Sequence, residues 1–247
     1  MIRFLLLLIV FALGLAAALV TQGTLYHLRW AFPGQLPDWT EGLPDDTGLQ
    51  AGAIPVKASA FLPPLELAWQ AQMPGRDGLR WDIRLIGDGV DLAGVLVLAY
   101  WPDRATIDDM QGAVDMGAMR IPMADPGGFL SIQSGQIDAT EILETPVFTA
   151  TLVGDMREVA VASADFGQGP VTGTLAADGG WHLDVSLTGG VSPATATLTG
   201  NLPDRNGMLD LAIEDVQRVP DTLRGVLGSV GQPSGQGWTI NAEVPIF

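Results

Sequence analysis

The stretch WHLDVSLT, residues 181–188, alternates apolar and polar side chains without a break. In an extended chain successive side chains point to opposite faces, so Trp181, Leu183, Val185 and Leu187 share one face. This period of two is typical of a β-strand with one buried face. The stretches LRWDIRL (79–85) and LDLAIE (209–214) repeat it, and the sequence therefore predicts a mainly β protein.

Working outward, weaker strand signals fill most of the chain from Leu65 onward. Leu65–Ala71 and residues 79–85 flank the turn Pro74–Gly78 and predict a hairpin, followed by a more continuously apolar strand at 90–101. Residues 107–119 show no clean period. Further strands are expected at 130–137, 147–153, 158–164, 171–176, 195–199 and 238–244. We expect a twisted, largely antiparallel β-sheet or sandwich. Of these, the sequence favours one continuous sheet curled around its own apolar face.

One short C-terminal helix is predicted at 220–230. Pro220 suits the first helical position, and Leu223, Val226, Leu227 and Val230 recur at helical spacing. Gly231 and Pro233 end it. We expect this helix to plug the curled sheet.

The N-terminus predicts a membrane anchor. Phe4–Val20 is an uncharged apolar run that follows Arg3, which predicts a transmembrane helix with the remaining chain outside the cytoplasm. Residues 16–18 (Ala-Ala-Ala) offer a signal cleavage site, but the apolar and aromatic character continues to Phe32, which favours a retained anchor. Residues 1–32 are therefore interpreted as an anchor and interface segment of a single-pass inner-membrane protein.

The remaining chain is divided by composition. Residues 33–64 are rich in proline and glycine and predict a tether ending in a first strand, and residues 65–247 predict a periplasmic β domain with sub-lobes at 65–120 and 128–247 as an alternative. The net charge of −16 argues against a nucleic-acid partner, which needs a basic surface. The absence of cysteine means that the fold depends on burial and hydrogen bonding without disulfides.

Candidate catalytic and metal-binding residues are few. The two histidines, His27 and His182, are far apart in sequence, and no nucleophile-elbow motif accompanies them. The acidic pairs 45–46, 108–109 and 214–215 fit solvated surface positions, because adjacent carboxylates in a strand point to opposite faces. Residues 87–91 (GDGVD) fit a hairpin turn better than a calcium loop. The sequence predicts no enzyme and assigns no catalytic, cofactor or metal residue.

The tryptophans offer two interpretations. Trp69, Trp81, Trp181 and Trp238 all occupy the inward phase of predicted strands. This phase favours core packing, with a ligand groove as the alternative.

Several of these motifs together resemble a known family. LELAW (65–69), LRWDIRL (79–85), WHLDVSL (181–187), VPDTLRGVLGSVG (219–231) and GWTI (237–240), behind a short N-terminal anchor, are similar to type II secretion system protein N, the general secretion pathway protein N family. The resemblance implies a bitopic inner-membrane protein whose periplasmic β domain assists protein secretion across the outer membrane. It implies partners among the other secretion-system envelope proteins, and no active site carries over.

Two other function classes remain open. A lipid-binding or lipid-transport envelope protein would present an apolar β groove to acyl chains, with apolar residues on the concave face and no opposing layer. A hydrolase is disfavoured by the two-histidine count. If the protein is a secretion component, its contacts with partners would use exposed strand edges or the acidic polar face.

Overall fold

The computed structural model describes residues 23–24, 26–27, 30, 47–56, 63–99, 103–118, 126–142, 145–161, 164–202, 204 and 206–245. The strands in that part of the chain are β1 (Ala51–Val56), β2 (Leu65–Ala71), β3 (Gly78–Gly87), β4 (Val90–Ala99), β5 (Arg104–Asp115), β6 (Pro126–Thr140), β7 (Val147–Val161), β8 (Ala164–Leu175), β9 (Gly180–Gly189), β10 (Ala194–Asn201), β11 (Asn206–Ile213), β12 (Gln232–Ser234) and β13 (Gly237–Pro245). Short 3-10 helices span Met116–Ala118 and Val216–Arg218. The predicted C-terminal helix is confirmed as α1 (Asp221–Val230).

All of these strands belong to one antiparallel sheet. From β1 to β11 each strand pairs with the next one in sequence, and β13 then lies between β11 and β12. The mainly β, antiparallel prediction is confirmed. Because the pairing of β5 with β6 joins segments 65–120 and 128–247, both segments share the sheet.

The predicted anchor, Phe4–Val20, lies outside the described residues. In the part of the chain that the structure describes, no helix combines the length and the apolar character needed to cross a membrane.

The strand register sorts the side chains into two contrasting faces. We call apolar face the one that carries Trp81, Ile83, Leu183 and Val185, and polar face the one that carries Asp82, Arg84, His182 and Asp184. From β2 to β11, every described residue that strand pairing aligns with the residues of the apolar face is apolar or glycine. The alternation seen in the sequence therefore extends across the whole sheet.

Bulges explain the one segment without a clean period. In β5, Ile107 pairs with Ile137 and Met110 with Gly135, so Asp108 and Asp109 together oppose a single residue of β6. Asp109 adopts a positive φ of 52°, a left-handed conformation that non-glycine residues seldom take. The bulge restores the apolar phase after two acidic residues, and neither carboxylate lies on the apolar face.

A second bulge corrects the predicted strand division. Residues 147–153 and 158–164 were expected to be separate strands, but β7 continues to Val161 and the next strand begins at Ala164. The register of β7 against β8 shifts between Met156 and Val159, where Glu158 has a φ of 52°. The inserted residue reverses the alternation, and this reversal imitates a strand boundary in the sequence.

Both clusters of buried residues lie at one end of the sheet, although Val97 of β4 and Ala139 of β6 are also buried toward the other end. We call near end the end where β2 begins and β3 ends, and far end the opposite one. A cluster of buried residues at the near end runs from β7 to β13: Val159, Ala164, Phe166, Leu187, Ala194, Ile213, Val216, Val219 and Ile240. A smaller cluster, Leu65, Val90 and Val114, lies at the near end of β2–β5. Sheets of this size rarely stay flat, and a cluster that spans six strands fits a curled sheet.

The segment after β11 closes the near end. Val216 and Val219 are buried in the larger cluster, and Leu223 of α1 packs against it. The Asp215 carboxylate caps the 3-10 helix by accepting a hydrogen bond from the Gln217 amide at 3.0 Å. The predicted plug thus consists of α1 together with the bend that precedes it.

Candidate functional site: the apolar face

The apolar face changes from buried to exposed between its two ends. Near-end residues such as Val90 and Leu187 are buried, and residues halfway along the strands, such as Ile83 and Leu183, are partly exposed. At the far end, Leu98 is 36% exposed and Phe148 is 45% exposed. Among the described residues, both buried clusters lie at the near end of this face; at the far end Ala139 is buried, while Leu98 and Phe148 are accessible from water.

An apolar hollow lies on the exposed part of this face. Its volume is about 290 Å³, and it is open to solvent. Residues from β7, β8 and β9 line it: Ala150, Thr151, Leu152, Gly173, Thr174, Leu175, Trp181, His182 and Leu183. Gly173, between Leu152 and Leu183, leaves room that a larger side chain would fill. The volume is close to the lower bound of ordinary small-molecule sites.

Residues 48–49, just before β1, lie over the apolar face of β2 and β3. The indole Nε1–H of Trp69 donates to the carbonyl oxygen of Gly48 at 3.1 Å, and that of Trp81 donates to Leu49 at 3.0 Å. Residue 52 must be small, because a Cβ there would lie 2.5 Å from the Trp69 ring. The two indole N–H groups are partly buried, and the two carbonyl oxygens give each of them a hydrogen-bond partner. Sequence reasoning missed this contact, since nothing in the strand period indicates it.

The predicted inward phase of the four tryptophans is confirmed, but their surroundings differ. Trp238 packs against the larger buried cluster. Trp181 lines the hollow, and Trp69 and Trp81 hold the N-terminal segment. Core packing therefore accounts for Trp238, whereas Trp181 contributes to an accessible apolar surface.

The polar face carries ion pairs at its surface. Arg84 and Asp91 form two parallel hydrogen bonds of 2.8 and 2.6 Å between β3 and β4, and Arg104 pairs with Asp138 in the same two-pronged way. The Arg84 guanidinium lowers the pKa of Asp91 below its usual range. These pairs are exposed and contribute little to stability.

Of the three candidate acidic pairs, one lies at a strand bulge, one includes a helix cap, and one lies outside the described residues. The β5 bulge puts Asp108 and Asp109 on the same polar face, which corrects the expectation of opposite faces, and both line a polar hollow with Gln136. The Asp108 carboxylate accepts hydrogen bonds from Thr106 at 2.9 Å and Gln136 at 3.0 Å. Residues 45–46 lie outside the described residues. Of the pair at 214–215, Asp215 is the helix cap described above.

The GDGVD stretch is the hairpin turn that its sequence predicts. Asp88 and Gly89 form the turn between β3 and β4, and Gly89 has a φ of 69°. Asp91 is already in β4 and paired with Arg84.

The histidines lie in separate environments. His27 is exposed next to Thr24, whose hydroxyl oxygen is 2.9 Å from its Nδ1. His182 is exposed on the polar face, with its Nε2 2.5 Å from the Asp184 carboxylate. A hydrogen bond from the Thr197 hydroxyl at 2.8 Å, together with that histidine, lowers the pKa of Asp184. No three His, Asp or Glu side chains gather as metal ligands in the described ranges.

Two edges of the sheet have no strand neighbour among the described strands. One is the outer side of β1. The other is the outer side of β13 after Thr239, because β12 pairs only with residues 237–239. Pro55 in β1 and Pro233 in β12 limit pairing at their positions. The edge of β13 from Ile240 to Val244 has no proline.

No protein-family model, curated protein or solved structure matches this chain.

Proposed function

We propose that this protein is a non-enzymatic accessory component of the type II secretion machinery, anchored in the inner membrane and acting in the periplasm through protein contacts. The supporting observation is that the sequence motifs of the resemblance belong to one structural unit. LELAW, LRWDIRL and WHLDVSL place their tryptophans on the apolar face, and VPDTLRGVLGSVG forms the bend and α1 at its near end.

The location proposed for the protein has support from the residues that follow the predicted anchor. Trp30 is 79% exposed and Tyr26 is 56% exposed. Aromatic side chains with a polar tip are enriched where a membrane meets water. Two such residues, six and ten positions after the apolar run that ends at Val20, fit a chain that leaves the bilayer in this region.

The free edge of β13 is the contact surface that fits this function best. An extended segment of a partner can add a strand there, because the backbone N–H and C=O groups of an edge strand are available for pairing. Residues 240–244 provide an uninterrupted stretch for this. Asn241 and Glu243 lie on this strand with their side chains on the polar face.

A crosslinking pull-down tests the proposal. The full-length protein carries a photo-crosslinking residue at Asn241 in its native envelope, with the exposed polar-face position Thr172 on the central strand β8 as the matched control. We expect secretion-machine subunits from the Asn241 variant and far fewer from the Thr172 variant. Recovery of no such subunit from either position would refute the proposal.

A lipid-binding or lipid-transport envelope protein is the second candidate. The observation that favours it is the apolar face itself, which is open to solvent over β7–β9, whereas residues 48–49 lie over the tryptophans of β2 and β3. Mass spectrometry of the same pull-down also scores co-purifying lipids. Bound lipid in stoichiometric amount without secretion subunits would replace the first proposal by the second.

A further inference from the structure

We propose that the far part of the apolar face over β7–β9 binds the acyl chain of a zwitterionic phospholipid. The site is the open hollow lined by Leu152, Leu175, Trp181 and Leu183, and Phe148 lies on the same face of β7, two residues before Ala150, which also lines the hollow. This inference goes beyond the contacts at the β13 edge and holds whether or not the protein belongs to a secretion machine.

The chemistry of the face selects an apolar occupant. From β2 to β11 the described residues in register are apolar or glycine, and the strand backbone groups pair with neighbouring strands. The face therefore offers an occupant almost no hydrogen-bond partner. An extended peptide lying across it would bury its own N–H and C=O groups unpaired, at a cost of several kcal/mol for each. An acyl chain has no such groups.

The two ends of the face determine the direction in which the lipid lies. The near end is filled by the buried cluster that includes Phe166 and Val219, so a chain cannot pass through it. The far end is open at Phe148 and Leu98. The acyl chain therefore points toward the near end, and the headgroup stays in water beyond the far end.

The charge around the far end selects the headgroup. The described far-end turns and strand ends carry the carboxylates of Glu141, Asp178 and Asp204, together with Arg76 and with Arg104, which is paired with Asp138. Across the whole chain, acidic residues outnumber Lys and Arg by 28 to 12. An anionic headgroup would be repelled, whereas phosphatidylethanolamine carries an ammonium group that these carboxylates attract.

Two phenylalanines provide a matched pair of variants. Phe148 on the apolar face is 45% exposed, and Phe129 on the polar face is 46% exposed. Neither belongs to a buried cluster, so Phe148→Glu and Phe129→Glu are expected to leave the fold intact. Circular dichroism of both full-length variants checks this. Only Phe148→Glu puts a charge at the rim of the proposed site.

Photolabelling tests the proposal directly. The full-length protein is mixed with phosphatidylethanolamine vesicles that contain a small fraction of the same lipid with a diazirine at the end of one acyl chain, then irradiated, and the labelled peptides are mapped by mass spectrometry. We expect labels on residues 148–187. Phe148→Glu should lower the yield several-fold, because the variant loses the apolar phenyl ring and puts a hydrated carboxylate beside the acyl chain, and Phe129→Glu should leave the yield unchanged. A phosphatidylglycerol probe should label less, and the difference should shrink at high salt.

Three results would overturn the proposal: no label, label confined to the polar face, or equal labelling of Phe148→Glu and the native protein. An apolar helical peptide that occupies the face and excludes the lipid probe would also overturn it. The recovery of secretion subunits through Asn241 is scored separately, because Phe148 and β13 lie in different parts of the sheet. Failure of one proposal is therefore distinguishable from failure of the other.

Discussion

Replacing Phe166 by alanine should strongly destabilise the protein, because this side chain closes the near end of the apolar face. Phe166 is 5% exposed and lies in the cluster that joins β7–β11, β13 and the bend before α1. Removing a buried phenylalanine side chain costs about 3–5 kcal/mol, which includes the cavity that remains. For a chain of this size, each kcal/mol lowers the melting temperature by roughly 2–4 °C. We therefore expect a loss of about 6–20 °C.

The assays are thermal unfolding, which gives the melting temperature, and equilibrium unfolding in urea, which gives the free energy of unfolding. Both are followed by circular dichroism, with Phe129→Ala as the control. Phe129 lies on the polar face and is 46% exposed, so its truncation should change the free energy of unfolding by less than about 0.5 kcal/mol. Phe166→Leu, which keeps most of the volume, should fall between the two. The midpoint should move while the slope with denaturant stays constant, as for a change in stability alone.

A small effect would contradict this account of the core. If Phe166→Ala costs less than about 1 kcal/mol, a value typical of ordinary positions, the cluster is not the main source of stability. Equal losses for Phe166→Ala and Phe129→Ala would show that burial at the near end does not distinguish the two positions.

Two further predictions concern polar groups. Ser192 is fully buried and its Oγ accepts a hydrogen bond from the Asp215 amide at 2.8 Å, so Ser192→Ala should cost about 1–3 kcal/mol in urea unfolding by leaving that amide unpaired; an unchanged midpoint would contradict the contact. Thr197→Val should raise the pKa of Asp184, read by NMR titration of its carboxyl, because the Thr197 hydroxyl is the main cause of the lowered value. A carboxyl whose pKa is lowered by folding stabilises the protein above its unfolded pKa of about 3.8, and this contribution is lost as the pH falls through the folded pKa. The stability difference between Thr197→Val and the native protein should therefore be present at pH 7 and shrink below about pH 4, and a constant difference would argue against the linkage.

The strand period predicted the two faces well where the strands are regular. The apolar residues of 181–187 and of 79–85 lie on the same face of one sheet, as their alternation indicated. The bulges in β5 and β7 were not predictable in this way, because an inserted residue shifts the apolar phase by one position and leaves no other mark in the sequence. One bulge hid the period of 107–119, and the other imitated the end of a strand.

The candidate site was predicted only in part. The inward phase of Trp181 was visible in the sequence, but its place at an open hollow was not, since the period of a strand does not say whether another layer covers its apolar face. The indole contacts to Gly48 and Leu49 also depend on a segment far away in sequence. Contacts of this kind depend on where the chain before β1 lies in the folded protein, and they have no local signal.

The sequence by itself determined the class of the fold, the apolar and polar faces, and the position of α1, because these follow from local periodicity and from residues that end a helix. Only the tertiary structure decided which part of the apolar face is buried. The bend at Val216–Val219 and α1 cover the near end, while Leu98 and Phe148 remain exposed at the far end. The physical reason is that burial depends on which distant segments meet, and an uncovered apolar face has the same alternation as a covered one.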